Sequence, residues 1–297
     1  MYGSTIALMP DDGPVYLVVG SDSLIGGALL RRLRDAGQHA VGTTRRRTQV
    51  EHAVYLDLVE GPDKWQPPLP VTVAIVCTGV TRLQACESDP VTSATTNVEG
   101  VSALVANLVN RGIFVIYIST NQVFDGSKPF RCATDPPSPQ SEYGRQKAEA
   151  ERRILRFGDS IAIVRFTKVL EVRPQLFLTW IEAMRKGNEI HPFSDMVMAP
   201  VPVELAAEGL HCVARHRSPG LFQMSADKDI TYEQATRHLA RGLGTSENLI
   251  QPIRTAESGF FTGPIPLHTT LDANRFRNEF GMVPPDAWSV VESVLEP

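Results

Sequence analysis

Six short apolar runs recur through the first 170 residues, and helix-like stretches lie between most of them. They are VYLVV (15–19), HAVGTT (39–44), AVYL (53–56), VTVAIVC (71–77), IFVIYI (113–118) and IAIVRF (161–166). A strand that is apolar throughout has both faces covered, which is the condition of a parallel sheet. Parallel neighbours need crossover connections, and the intervening stretches near 24–36, 91–110 and 142–157 have helical length and composition. The pattern predicts an α/β fold of right-handed βαβ units, a doubly wound parallel sheet with helices on both faces. After about residue 170 the rhythm changes. Helix-like segments near 174–186, 203–215, 231–243 and 287–295 are joined by loops containing Pro and Gly. They predict a smaller α/β substrate-binding domain at the carboxyl ends of the strands, so the chain divides into 14–170 and, with some interleaving of segments, 171–297.

With 297 residues, 42% hydrophobic and 21% charged, the chain can bury a sizeable core. A net charge of -4 supplies no basic field for nucleic acid or an anionic membrane. The longest apolar run is too short to span a bilayer. The start, MYGSTIALMPDDGP, has no basic region followed by an apolar run and reads as a loose tail rather than a secretory signal. Cys77, Cys86, Cys132 and Cys212 form no C-x-x-C pair, which predicts reduced thiols in a cytoplasm. The seven histidines include no H-E-x-x-H, so no metal site is expected, and no G-x-S-x-G elbow supports hydrolase chemistry.

The stretch VYLVVGSDSLIGGALLRRL (15–33) reads strand, tight loop, helix. Gly20 permits the sharp turn and Gly26 a close helix–strand approach. A pyrophosphate can then sit on the backbone at the helix start, at Ser23, Leu24 and Ile25. With this loop first, the sheet is expected to be of the Rossmann type. NAD binders usually hold the ribose 2′-hydroxyl with an acid at the end of the second strand. Here that end reads GTTRRR, and Thr43, Thr44, Arg45 and Arg46 suit a 2′-phosphate, which favours NADP. Asp57 and Leu58 follow the third strand, where a residue can border the adenine.

Ser119 and Thr120 stand at the carboxyl end of the fifth strand, at the expected nicotinamide edge of the crevice. Tyr143 and Lys147 lie four residues apart on the next helix, so they share a face. A phenol near pKa 10 is a poor acid at neutral pH, and a neighbouring ammonium lowers that value. Thr120 can hydrogen-bond a substrate carbonyl, and Tyr143 can protonate its oxygen.

With these pieces together, the chain resembles the extended short-chain dehydrogenase/reductase superfamily, and within it the dTDP-4-dehydrorhamnose reductase branch. The resemblance rests on the Gly20–Gly26 loop, SDPVTSATTNVEG with Asn97, STNQVFDG (119–126), YGRQK (143–147), VRF with Arg165, APVPVELA (199–206) and LDANRFRNEFGM. It covers nearly the whole chain after residue 14. The resemblance implies NADPH-dependent reduction of a nucleotide-linked 4-keto-6-deoxy sugar, with Thr120, Tyr143 and Lys147 as the catalytic set. It implies that Lys147 also holds the nicotinamide ribose. It adds Cys77, Thr78, Gly79, Asn97, Ser119 and Arg165 to the cofactor-binding residues, and Thr81, Asn121, Gln122, Phe124 and Met196 to the substrate side. Relatives of this kind are often homodimers.

The chain departs from that branch where the sugar binds. Asn121 and Gln122 replace an Asp and a Tyr, Gln84 stands where an Asp is usual, and TKVL (167–170) replaces an aromatic. His191, Asp195 and Met196 lie in a loop that relatives place near the sugar nucleotide. Two other functions fit the frame. One is a non-catalytic, NADP-binding subunit similar to the beta subunit of methionine adenosyltransferase. The other is a nucleotide-sugar epimerase or dehydratase, which would keep NAD bound and is disfavoured by the TTRRR turn.

Overall fold

In a computed structural model, residues 13–47, 53–259 and 263–296 are described. Most of the N-terminal tail therefore lies outside the described residues. The first half runs β1 (Tyr16–Val19), α1 (Leu24–Asp35), β2 (Ala40–Thr44), β3 (Ala53–Tyr55), β4 (Val73–Val76), α2 (Leu83–Ser88), α3 (Pro90–Ala94), α4 (Val101–Asn110), β5 (Phe114–Thr120), α5 (Glu142–Ile154) and β6 (Ile161–Phe166). A π-helical segment, Thr95–Gly100, joins α3 to α4. The second half runs β7 (Val169–Leu170), α6 (Gln175–Arg185), β8 (Val197–Met198), β9 (Val201–Pro202), α7 (Val203–His216), β10 (Gly220–Met224), β11 (Ile230–Thr231), α8 (Tyr232–Leu243), α9 (Asn274–Phe280) and α10 (Ala287–Glu292).

Seven strands form one parallel sheet in the order β10-β6-β5-β4-β1-β2-β3. The chain winds outward from β1 through β2 and β3, then returns to β4 on the other side. The order therefore reverses between β1 and β4, and a crevice opens above their carboxyl ends. One face of the sheet packs on α1 and α7, with Leu29, Leu33, Leu210 and Val213 against Val18, Ile75 and Ile116. The other face packs on α4 and α5, with Leu104, Leu108, Ala150 and Ile154 against Leu17, Ala74 and Tyr117. This two-sided cover is why β1, β4 and β6 are buried at every position.

Helix α1 shows how local chemistry sets the frame. The Ser23 side chain caps it by accepting from the Gly26 N–H at 3.1 Å. Leu29 and Leu33 are buried one turn apart, while Arg32 and Arg34 fill the last turn, where they suit the negative end of the helix dipole. Gly37 follows at φ 70° and turns the chain toward β2.

The second half is divided between two tasks. Helices α6, α8 and α10 close a separate apolar cluster with Leu170, Ile190 and Met198. In contrast, α7, β10 and Phe276 of α9 belong to the sheet's own core. Strand β10 pairs with β6 from Gly220↔Ala162 to Met224↔Phe166 and supplies the seventh strand. Residues 203–224 thus return from beyond residue 170 to complete the first layer, and the break at 170 is not a clean boundary.

Candidate active site

The crevice begins at the glycine loop. Gly20 takes φ 79°, and a Cβ there would lie 2.8 Å from the Thr78 Cβ. A Cβ on Gly26 would collide with the Gly20 carbonyl. Loop, helix start and the end of β4 therefore pack with no room for side chains. Ser23 takes the Gly26 N–H, and the N–H groups of Leu24 and Ile25 precede it in a first turn that leaves such groups without intrahelical partners. Leu24 is exposed and Ile25 packs onto the core beneath. The loop is also tied to β2. The Gly20 N–H donates to Thr43 Oγ1 at 3.1 Å, and Ser21 donates to the Thr43 carbonyl through N at 2.9 Å and Oγ at 3.0 Å.

At the end of β2, Thr44 is buried, whereas Arg45 and Arg46 are exposed. The Thr44 hydroxyl donates to Asp22 Oδ2 at 3.1 Å, and Arg46 Nε lies 3.5 Å from the same oxygen. Asp22 is a residue that reading the sequence passed over, because an acid is normally sought on the strand and not in the loop. After β3, Asp57 caps its own turn by accepting from the Val59 N–H, and Leu58 is buried against Gly100.

After β4, the Cys77 N–H donates to the Val19 carbonyl. Burial pushes the Cys77 thiol well above its ordinary value, which suits a small apolar filler and not a nucleophile. Gly79 sits at φ 154°, where a Cβ would lie 2.9 Å from Asn97 Oδ1. Asn97 is 2% exposed, accepts from the Val80 N–H at 2.7 Å, and donates to the Val80 carbonyl and Gln146 Oε1. Its polar atoms brace the loop that follows β4 and tie it to α5. Thr81 is exposed just before α2.

Strand β5 carries Ser119 and Thr120 to the rim. Ser119 Oγ is buried with no partner among the described residues, and Thr120 is 9% exposed. Thr120 Oγ1 accepts from the Gln122 N–H at 3.2 Å, and its proton points to Asn121 Oδ1 at 3.4 Å. Ser141 caps α5 by accepting from the Gly144 N–H, and its hydroxyl donates to Gln122 Oε1 at 3.0 Å. A Cβ on Gly144 would collide with the Gln122 carbonyl. The Thr120 segment is thereby locked to the turn that carries Tyr143.

Tyr143 and Lys147 are both buried. Lys147 Nζ donates to the Ile118 carbonyl at 2.6 Å and lies 4.1 Å over the Tyr117 ring. Burial lowers Lys147 to a pKa of about 7, with Glu151 and Cys77 opposing that shift. Burial likewise pushes the Tyr143 phenol well above its ordinary value. The expected lowering of Tyr143 by Lys147 is therefore not met in this arrangement. Both groups are drawn out of water, and desolvation favours the neutral form of each.

Two further residues of the predicted site are held by ion pairing and packing. Arg165 is 2% exposed, and its guanidinium binds Glu151 at 2.6 and 2.9 Å, Gln223 Oε1 at 3.2 Å and the Ala133 carbonyl at 3.1 Å. These bonds tie Arg165 to α5 and to β10. Phe124 is 5% exposed, and the guanidiniums of Arg131 and Arg165 lie 4.9 and 5.0 Å from its ring centre. Its ring packs with Val123 and Leu271. Met196 and Asp195 are half-buried. The Asp195 carboxylate accepts from the Thr255 N–H and hydroxyl, and exposed His191 lies 3.0 Å from the Gln251 carbonyl, which fixes this loop to its neighbour. Among the described residues no cluster of three metal-ligating side chains exists, and no helix is long and apolar enough to cross a membrane.

A family model described as the RmlD substrate binding domain matches residues 15–297. The chain belongs to this family. It is 25% identical over 283 residues to a probable low-salt glycan biosynthesis reductase of Haloferax volcanii, covering 90% of this chain and 93% of that protein. It is 30% identical over 272 residues to the beta subunit of methionine adenosyltransferase 2 of Xenopus tropicalis, covering 87% and 80%. Among solved structures, the dTDP-4-dehydrorhamnose reductase of Bacillus anthracis, in complex with NADP, superposes with a TM-score of 0.82 at 17% identity, covering 96% and 98%. At that identity the likeness shows the fold, an extended Rossmann-type sheet with a second layer above its carboxyl ends. The bare glycine loop, the Thr44–Arg46 corner and the Ser119 hydroxyl, which has no partner among the described residues, fit a nicotinamide dinucleotide laid across that crevice.

Proposed function

We propose that this RmlD-family protein is an NADPH-dependent reductase of a 4-keto-6-deoxy sugar carried on a nucleotide. The observation that carries the reading is the joining of Thr120 to the first turn of α5, with Tyr143 and Lys147 buried on that helix. The cofactor supplies the hydride. Thr120 orients the substrate, because its hydroxyl proton can leave Asn121 for the keto oxygen while the Gln122 N–H keeps the side chain in place. Tyr143, held protonated by burial, donates its proton to that oxygen as charge grows there. The phenolate left behind lies one helical turn from the Lys147 ammonium, which favours it over an uncompensated buried anion. The Ile118 carbonyl and the Tyr117 ring fix where that ammonium sits.

The test is NADPH consumption with dTDP-4-dehydrorhamnose, wild type beside Tyr143→Phe. Turnover in the wild type and a loss of roughly 10²- to 10⁴-fold in the variant, with NADPH binding kept, is the expected result. Equal turnover in both would break the reading. A second reading, a dinucleotide-binding subunit of another enzyme, is favoured by one observation. Gln122, at a sugar-facing position of the family, is tied to the Ser141 cap. NADPH binding without turnover, together with co-purification of a partner enzyme, is its signature.

A further inference from the structure

We infer that Asp22 sets the choice between the 2′-hydroxyl and 2′-phosphate forms of the dinucleotide, on the reading that one binds here. Strand β2 ends in Thr43 and Thr44, Arg45 and Arg46 follow, and this stretch offers no carboxylate of its own. The glycine loop delivers one to the same place. Hydrogen bonds from Gly20 N, Ser21 N and Ser21 Oγ to Thr43 hold the loop on the strand end. A Cβ on Gly42 would collide with the Ser21 side chain, so the approach depends on glycine in the strand as well. Asp22 then accepts from the Thr44 hydroxyl at 3.1 Å, with Arg46 Nε at 3.5 Å.

The Thr44 hydroxyl is fixed from both sides. Its oxygen accepts from the Arg46 N–H at 3.1 Å, so its proton is directed to Asp22. Of the three arginines that follow, Arg47 is bound to Glu60 at 2.7 Å and Arg46 is drawn to Asp22, while Arg45 is exposed. The corner where the adenosine ribose of a dinucleotide sits thus holds one carboxylate amid the basic turn. A ribose diol donates to that carboxylate. A 2′-phosphate meets it as a like charge and must draw Arg46 and Thr44 away from it. Asp22 therefore supports NADH and taxes NADPH, and the arginines do the reverse. The chain as built accepts both, with a narrower preference than the basic turn alone would give.

The experiment is the dissociation constant of NADPH and of NADH, read by reduced-nicotinamide fluorescence without any sugar. Wild type, Asp22→Asn and Arg46→Gln are compared. Asn keeps the size and one acceptor oxygen of Asp22, removes its charge and turns the other oxygen into an NH2 donor. The NADH-to-NADPH ratio of constants should rise about ten-fold in Asp22→Asn and fall in Arg46→Gln, and the Asp22 effect should shrink at high salt. A ratio unchanged in Asp22→Asn, with both dinucleotides still binding, overturns the inference and leaves the reductase reading standing. Wild type that binds neither form overturns the dinucleotide reading and this inference with it.

Discussion

Helix α5 places Tyr143, Lys147 and Glu151 on one buried face, a turn apart, yet its two ends handle buried polarity differently. At the far end, Glu151 is 2% exposed and meets Arg165 through two arms, with Gln223 and Ala133 completing the guanidinium. At the near end, Lys147 has one carbonyl and a ring face, Ser119 Oγ has no partner among the described residues, and Tyr143 is held neutral by burial. One end is closed and satisfied, and the other holds buried polar groups with few partners. Partly satisfied buried groups are costly, and they concentrate where a ligand is to complete them.

The largest effect that would test this contrast is at the closed end. Arg165→Met leaves Glu151 buried without a partner and should cost about 3–5 kcal/mol of stability, measured by urea unfolding. The double variant Glu151→Leu with Arg165→Met should recover most of that loss, because no unpaired charge remains. A double variant no more stable than the single one would show that the pair is not the closed unit described.

Opposite behaviour is expected at the near end. Lys147→Met removes a desolvated ammonium, so the variant should be as stable as wild type at pH 7, or more stable by about 1 kcal/mol, while activity is lost. The sign follows from burial. Lys147 has a folded pKa of about 7, below its ordinary 10.5, so the unfolded chain binds more protons between those values. Wild-type stability should therefore gain on that of Lys147→Met as pH rises from about 7 toward 10.5, a difference read from unfolding at several pH values. In the same experiment series, kcat/KM for reduction should fall above about pH 7 as free enzyme loses the Lys147 proton. A profile level to pH 9 would place the controlling group elsewhere.

The reasons for what the sequence showed differ along the chain. IAIVRF became β6 over Ile161–Phe166, because a run apolar throughout has one good solution between two layers of helices. GLFQM (220–224) was not distinguished, since its strand character depends on pairing with β6 and not on its own pattern. In the site, the spacing of Tyr143 and Lys147 marks a shared helix face, and it was legible for that reason. The partners of Arg165 and Asp22 were not legible because they are non-local. Glu151 comes from α5, Gln223 from β10, and Thr44 reaches Asp22 from the end of β2. Resemblance supplied Arg165 but not its hydrogen-bond partners, and it did not name Asp22.

The smallest expected effect lies at the joint between the two ends' supports. Ser141→Ala removes the α5 cap and the bond to Gln122, and should cost about 1 kcal/mol of stability. If that joint positions Tyr143 against Thr120, kcat should drop more than the stability change alone accounts for, and a stable but equally active variant would refute the coupling.

The late arrival of β10 has a consequence for how the protein is made. A nascent chain that has emerged only as far as Leu170 presents β6, all six of whose residues are buried in the finished fold, as a bare sheet edge. The layer cannot be sealed until Gly220–Met224 leaves the ribosome and pairs with it. During that interval the growing polypeptide offers an open strand to any neighbour able to pair with it, which makes a chaperone's transient cover most useful between those two points of synthesis.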